Sequence, residues 1–189
     1  FLAAMAQVCK TFRPGNGFDY EQGVNFNTLI HPDHAKTVWE YIEKGKAQGA
    51  RLVCGGEPYA DPELAKGSFV PPTIFADVTP DMAIYKEEIF GPVACVTPFD
   101  TEEEALALAN GSDYGLAGAV FSNNVKRAHR VAQGIRGGQI YVNTYFSKGM
   151  IDSPGAGWKQ SGLGIAGIHK YMVSKTIFVD LNDVSEPPM

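Results

Sequence analysis

Cysteine is scarce, long apolar runs are missing and positive charge is nowhere concentrated, and each of these absences excludes a class of protein. The three cysteines, Cys9, Cys54 and Cys95, form neither a CxxC pair nor a disulfide framework, which favours a reducing compartment and predicts a cytoplasmic protein. No apolar run reaches the roughly 20 residues of a membrane-spanning helix, so no membrane association is predicted. The net charge of -5, without a cluster of lysine or arginine, argues against a nucleic-acid partner.

The bulk composition is that of an ordinary globular chain. The 189 residues suit one compact domain, and 44% of them are hydrophobic and 20% charged. The four histidines are scattered, so no metal site is predicted. Apolar residues at positions 1, 2, 5, 8, 9 and 12 follow a helical stripe without a capping signal before it. The chain is therefore expected to begin inside an amphipathic helix, as a piece of a longer polypeptide; a cleaved signal peptide is the alternative.

Helical and strand-like patterns alternate along the chain with short joins. The pattern predicts helices over residues 32–48, 101–110 and 124–133, and a polar loop over residues 13–23. Strand-like runs are predicted at residues 51–54, 72–78, 94–99, 116–122, 139–142 and 175–181. Such alternation predicts an α/β fold, with strands and helices arranged around a largely parallel sheet and a C-terminal β-strand arm.

Residues 86–93, Lys-Glu-Glu-Ile-Phe-Gly-Pro-Val, combine a carboxylate, an aromatic ring and a turn just before a short apolar strand. Glu88 and Phe90 are expected at the edge of the sheet, where α/β folds gather their ligands. A carboxylate there accepts hydrogen bonds from sugar hydroxyls, and an aromatic ring packs on a flat heterocycle. The alternative is a surface acid beside a core phenylalanine.

Further motifs follow in order, at residues 100–110, 113–121, 138–143 and 158–162. Together with residues 86–93, they resemble the carboxyl-terminal half of the aldehyde dehydrogenase superfamily. The resemblance implies that residues 1–170 are part of the catalytic domain and that residues 171–189 form an oligomerisation strand and tail. In that family the last strand pairs with a neighbouring subunit, which implies a homodimer or homotetramer. The alternative is a strand that closes the sheet of its own domain.

The resemblance also implies a chemistry, namely NAD(P)-dependent oxidation of an aldehyde to a carboxylic acid through a cysteine thiohemiacetal and thioester. Ala6-Gln7-Val8-Cys9 is similar to the family's Gly-Gln-x-Cys nucleophile motif, but only five residues separate Cys9 from Gly15, whereas the family has a strand and most of a helix there. The nucleophile, the general-base glutamate and the first Rossmann-like domain are therefore expected upstream of residue 1. No catalytic residue is assigned, and this chain alone is expected to be inactive without its amino-terminal half.

By the same resemblance, the residues that bind NAD or NADP are Glu88 and Phe90 at the nicotinamide ribose and Leu116 at the nicotinamide. His34, with Thr37 near it, matches helical positions that face the adenosine-side ribose. An ordinary solvated histidine is the alternative for His34.

The loop from Asn143 to Trp158 is the predicted binding region for a small aldehyde, because substrate channels are mostly apolar with few polar contacts. The alternative is an ordinary loop whose aromatics pack on the core. Gly155 replaces a channel phenylalanine of the family, and the segment after Gly162 is shorter than usual. The predicted substrate residues are Asn143, Tyr145, Phe146, Met150 and Gly155, with Ile151 beside them.

Two functions from different classes are consistent with these residues. The first is an oxidoreductase, of which this chain is the carboxyl-terminal portion. The second is a catalytically silent fragment or homologue that acts as a structural or assembly module.

Overall fold

The computed structural model describes residues 1–145, 157–162 and 171–181, which fall into two compact units, Phe1–Pro98 and Phe99–Met189. The predicted boundary after residue 170 lies within the second unit and outside the described residues, so it stays a prediction. Both units mix helices with strands, and the α/β class is confirmed, with parallel sheet elements in each unit.

Helices and strands alternate along most of the chain. The helices are α1 (Leu2–Cys9), α2 (Pro32–Ala47), α3 (Pro62–Ala65), α4 (Ala83–Lys86), α5 (Glu102–Asn110) and α6 (Val125–Gly134). The strands are β1 (Arg51–Cys54), β2 (Thr73–Ala76), β3 (Val93–Cys95), β4 (Tyr114–Gly115), β5 (Ala117–Val120), β6 (Gln139–Val142), β7 (Trp158–Lys159) and β8 (Thr176–Val179).

The strands of the described residues form three small sheets rather than the single predicted one. In the first unit, β1 pairs antiparallel with β2, and β2 pairs parallel with β3. In the second unit, β5, β6 and β8 form a parallel sheet in that order, while β4 and β7 make a short antiparallel pair. Within the described residues, the last strand pairs with β6 of its own chain. Its pairing with a neighbouring subunit stays a prediction.

Helix α2 organises the first unit. The His31 side chain caps it by accepting a hydrogen bond from the Asp33 N–H at 3.2 Å, and Pro32 suits the first turn because its missing N–H needs no partner. An acid in the first turn and lysines in the last turn complement the helix dipole. The helix buries a stripe of residues spaced three and four apart, Ala35, Val38, Ile42 and Gly45, against a core that includes Val70, Phe75, Val78 and Ile84.

The second unit is built on its parallel sheet. Ala128 and Ala132 of α6 are buried against Ile140 and Val142 of β6. Earlier in the chain, helix α5 of the same unit begins with a reciprocal cap. Thr101 Oγ1 accepts a hydrogen bond from the Glu104 N–H at 3.1 Å, and the Glu104 carboxylate accepts one from the Asp100 N–H at 2.8 Å.

The polar loop over residues 13–23 differs from the expectation. It contains a 3-10 helix, Gly17–Gln22, because the Asn16 side chain accepts from the Phe18 N–H and starts a turn. Helix α1 has no buried residue, and Cys9 at its end is half-buried. Cys54 and Cys95 are half-buried as well.

Candidate cofactor-binding site

The segment 87–92 joins α4 to β3, and its side chains alternate between solvent and core. Ile89 is buried, whereas Glu88 before it is exposed and Phe90 after it is 75% exposed. The Phe90 backbone has φ +54°, a left-handed conformation that non-glycine residues seldom adopt. Phe90 is therefore not the core phenylalanine of the alternative interpretation; its ring is presented outward by a segment that Ile89 anchors.

Phe90 forms part of the wall of a cleft in the first unit. The cleft has a volume of about 460 Å³ and a mostly apolar lining, made by Phe26, Asn27, Leu29, Val70, Phe90, Gly91 and Pro92. Glu88 stands two residues before Phe90 on the same segment, with its carboxylate exposed. The arrangement combines an exposed aromatic face, an apolar cleft and a carboxylate that accepts hydrogen bonds, which suits a ligand with a flat ring and hydroxyl groups.

Helix α2 brings His34 to this segment. His34 Nε2 lies 2.7 Å from the Phe90 carbonyl oxygen, and the two rings are 5.9 Å apart between centroids. Because a carbonyl only accepts, the His34 Nε2–H is the donor. Two turns further along the helix, the Tyr41 hydroxyl donates to the Glu87 carboxylate at 2.8 Å. The sequence analysis missed Tyr41, although its spacing from His34 places both residues on one helix face.

Leu116 and Asn143 lie in the second unit, at the ends of strands. Leu116 is 48% exposed between β4 and β5. Asn143 follows β6 with φ +57°, and its side chain binds both backbone groups of Ser122, accepting from the N–H at 2.8 Å and donating to the carbonyl at 3.1 Å. Asn143 therefore ties the end of β6 to the end of β5 at the point where the predicted substrate loop begins.

Tyr145 is the other predicted substrate residue that the structure describes. Its ring is 55% exposed and meets the Tyr141 ring edge-on at 5.5 Å. Phe146, Met150, Ile151 and Gly155 lie outside the described residues. Beyond that loop, the Trp158 indole N–H donates to the Ser174 carbonyl at 2.8 Å, so this side chain supports the approach to β8.

The cysteine surroundings oppose thiolate formation. Burial raises the pKa of the Cys95 thiol to about 11, and its Sγ donates to the Ile84 carbonyl. Burial, followed by a hydrogen bond with the Cys54 thiol, raises the pKa of Cys9 to about 11. A catalytic cysteine needs the opposite, a depressed pKa. These are the surroundings of structural cysteines.

Alkylation of the folded chain by iodoacetamide should therefore be slow at Cys9 and Cys95. The thiolate fraction, which sets the rate, should rise with pH towards midpoints near 11 rather than the ordinary value of 9.0. Peptide mass spectrometry over a pH series measures the rates, with the chain unfolded in guanidinium as the control. Rapid labelling of Cys9 at pH 8 in the folded chain would contradict the assignment.

Among the described residues, no three side chains of histidine, cysteine, aspartate or glutamate converge as metal ligands would. No helix in the described ranges combines the length and apolar character that crossing a membrane requires.

The fold is that of the aldehyde dehydrogenases, because the chain superimposes on members of that class of known structure. It matches a betaine aldehyde dehydrogenase from Staphylococcus aureus, solved in complex with NAD+, with a TM-score of 0.79 and 38% identity, over 86% of this chain and 32% of that one. It matches an indole-3-acetaldehyde dehydrogenase, also solved with NAD+, with a TM-score of 0.80 and 42% identity, over 87% of this chain and 32% of that one.

The sequence comparisons lead to the same family. Residues 1–177 match the profile described as the aldehyde dehydrogenase family. A betaine aldehyde dehydrogenase from Agrobacterium fabrum is 43% identical over 99% of this chain, which spans 38% of that relative's length. The chain belongs to the aldehyde dehydrogenase family, and the predicted resemblance is confirmed.

Proposed function

We propose that this chain is the carboxyl-terminal portion of a nicotinamide-dependent aldehyde dehydrogenase and supplies one wall of its cofactor site. The observation that carries the proposal is Phe90, an aromatic ring held 75% exposed beside an apolar cleft by an anchored backbone in the left-handed region. The ring extends the apolar lining of the cleft, and an apolar cleft with an exposed aromatic ring and a carboxylate nearby has the composition of a ligand site.

The described residues fit such a cofactor. The Phe90 ring offers a flat apolar face, and the Glu88 carboxylate two residues away offers acceptors for ribose hydroxyls. Leu116 would contact the nicotinamide, and His34 lies on the helix that would face the adenosine side. The cofactor, when bound, accepts a hydride from the substrate. We propose NAD rather than NADP as the cofactor, because the similar structures from Staphylococcus aureus and Bacillus cereus were solved with NAD+.

The substrate in this proposal is a small aldehyde, and the reactive cysteine and general base come from an amino-terminal half. Asn143 would fix the start of the substrate loop through its two bonds to Ser122, and Tyr145 would contribute to the apolar lining. Relatives named for betaine aldehyde and for indole-3-acetaldehyde match at 43% and 42% identity, so overall similarity does not choose between those substrates.

The partner in the assembly is a second copy of the same enzyme, as a homodimer or homotetramer. β8 is the end strand of its sheet in the order β5, β6, β8, and an end strand is the position from which a sheet extends into a neighbour. A cytoplasmic location stays a prediction that rests on the three unpaired thiols.

The silent-module alternative has less support. The sequence matches family members over 99% of its length, and the segment carrying Glu88 and Phe90 keeps the exposed geometry that a binding role needs. Aldehyde-dependent reduction of NAD by the complete polypeptide, with no activity from residues 1–189 alone, is the result expected for the enzyme. Absence of that activity in the complete polypeptide would favour the silent module.

Glu88→Gln in the complete enzyme should slow hydride transfer by about tenfold. The amide keeps the shape of the carboxylate but loses a charged acceptor, and a hydrogen bond to a charged group contributes about 1.5–3 kcal/mol. Single-turnover NADH formation, measured by absorbance, reports the step directly. Glu40→Gln, at an exposed position of α2, is the matched control and should react at the wild-type rate. Unchanged steady-state and single-turnover rates in the Glu88 variant would contradict the role of its carboxylate.

A further inference from the structure

One face of α2 holds the 87–92 segment through three side chains, His34, Val38 and Tyr41, which we call the α2 clamp. Their spacing of four and then three residues places them along a single face of the helix. The helix itself is fixed, because its Ala35 and Ile42 are buried in the core of the first unit. The clamp is therefore a rigid support for the segment.

The three contacts act on successive parts of the segment. At its start, the Tyr41 hydroxyl donates to the Glu87 carboxylate at 2.8 Å. At its turn, Gly91 packs directly on the fully buried Val38, since a Cβ added at Gly91 would lie 2.6 Å from Val38 Cγ2. Between these two contacts, His34 Nε2–H donates to the Phe90 carbonyl at 2.7 Å.

The His34 bond acts where the segment is least stable by itself. Phe90 has φ +54°, a left-handed conformation that costs free energy for a residue with a Cβ. Its ring is 75% exposed, so packing of the ring within this unit offsets little of that cost. The hydrogen bond to the carbonyl fixes the peptide plane between Phe90 and Gly91 and thereby the direction of the ring.

We propose that His34 is a positioning residue, which holds Phe90 and Glu88 in the geometry that grips the nicotinamide ribose, and that Tyr41 assists it through Glu87. The inference rests on the proposed function and deepens it. It differs from the direct contact with the adenosine-side ribose that the family resemblance implies for His34. The two roles predict different effects on the binding of ADP, which carries the adenosine side but lacks both the nicotinamide and its ribose.

The test compares His34→Ala, His34→Gln and the wild type in the complete enzyme. We expect His34→Ala to slow single-turnover hydride transfer by about tenfold, because the loss of one well-aligned hydrogen bond corresponds to about 1.4 kcal/mol. The Kd of ADP, measured by calorimetry, should change by less than about twofold. His34→Gln places an amide N–H near the position of Nε2 and should restore most of the rate.

Tyr41→Phe provides a second, milder variant, because it removes only the hydroxyl and keeps the packing of the ring. We expect a change of about threefold in the same direction as His34→Ala. Glu40→Gln is again the matched control on the same helix. Thermal unfolding of each variant within a few degrees of the wild type separates positioning from loss of fold.

Two results would overturn the inference. Weakening of ADP binding in step with NAD binding in His34→Ala would show direct contact with the adenosine side. An unchanged hydride-transfer rate in His34→Ala would show that the carbonyl bond is not needed. Failure of the proposed function is distinguishable from both, because the wild-type enzyme would then fail to bind NAD or to oxidise any aldehyde with it.

Discussion

Gly55→Ala should destabilise the chain by about 3 kcal/mol or more, whereas Gly49→Ala should cost only about 1 kcal/mol. Both glycines have left-handed backbones, with φ +73° and +90°, so both substitutions introduce the same kind of strain. Gly49 has no atom within 4 Å of an added Cβ, but a Cβ at Gly55 would lie 2.3 Å from the Pro72 carbonyl oxygen and 2.7 Å from Thr73 Cα. Those neighbours are backbone and have little room to move.

Strain from Gly55→Ala should also affect the candidate site, because Thr73, which the added Cβ would press against, is the first residue of β2. Its N–H donates to the Pro92 carbonyl at 2.8 Å, and Pro92 lies beside Phe90 in the lining of the cleft. Urea denaturation of the 189-residue chain, followed by circular dichroism, measures the difference between the two variants. Equal losses of stability in Gly49→Ala and Gly55→Ala would contradict the close approach of the backbone at Gly55.

Lys175→Met should destabilise the second unit by about 3 kcal/mol. Lys175 Nζ donates to the carbonyls of Ala132, Gln133 and Ile135 at 3.0, 2.8 and 2.6 Å, where α6 ends and its dipole favours a cation. Methionine keeps the aliphatic stem but leaves these carbonyls without their donor, and an unsatisfied buried acceptor costs about 1–3 kcal/mol. The losses overlap, so the total is smaller than their sum.

Lys159→Met is the matched control for Lys175→Met. Lys159 Nζ also donates to two backbone carbonyls, of Asn110 and Ser112, but its side chain is exposed, so water replaces the lost donor and we expect a loss of about 1 kcal/mol. Because Lys175 directly precedes β8, hydrogen exchange should also show faster opening of that strand, for example at the Asp180 N–H bonded to the Val142 carbonyl. Similar losses for both lysine variants would contradict the proposed anchoring.

Local signals predicted the helices of eight or more residues and most strands well, but they did not predict the four-residue helices α3 and α4. The pattern at residues 32–48 matches α2, Pro32–Ala47, because the capping residues and the apolar stripe lie within the helix itself. The strand expected at residues 139–142 matches β6 in the same way. By contrast, the short pair of β4 and β7 was not predicted, because two-residue strands have no period and pair only through a contact distant in sequence.

In the candidate site, too, local features were predicted from the sequence, whereas contacts between residues distant in sequence were not. The composition of residues 86–93 predicted that Glu88 and Phe90 are presented together, and the structure exposes both. The bond from His34 to the Phe90 carbonyl joins residues 56 positions apart, and the positive φ of Phe90 leaves no mark in a phenylalanine. Sequence reasoning therefore found the residues but not the support that holds them.

Phe90 has a left-handed backbone, so the residue that would be most stable at this position differs from the one that we propose the activity requires. Glycine adopts this conformation without the strain that a Cβ introduces. The substitution Phe90→Gly would also remove the exposed apolar surface of the phenylalanine ring from water. A laboratory search for heat-resistant variants that does not score turnover should therefore accept Phe90→Gly, and in doing so would discard the ring that we propose contacts the cofactor. Such a trade-off between stability and activity is typical of a residue that serves function rather than the stability of the fold.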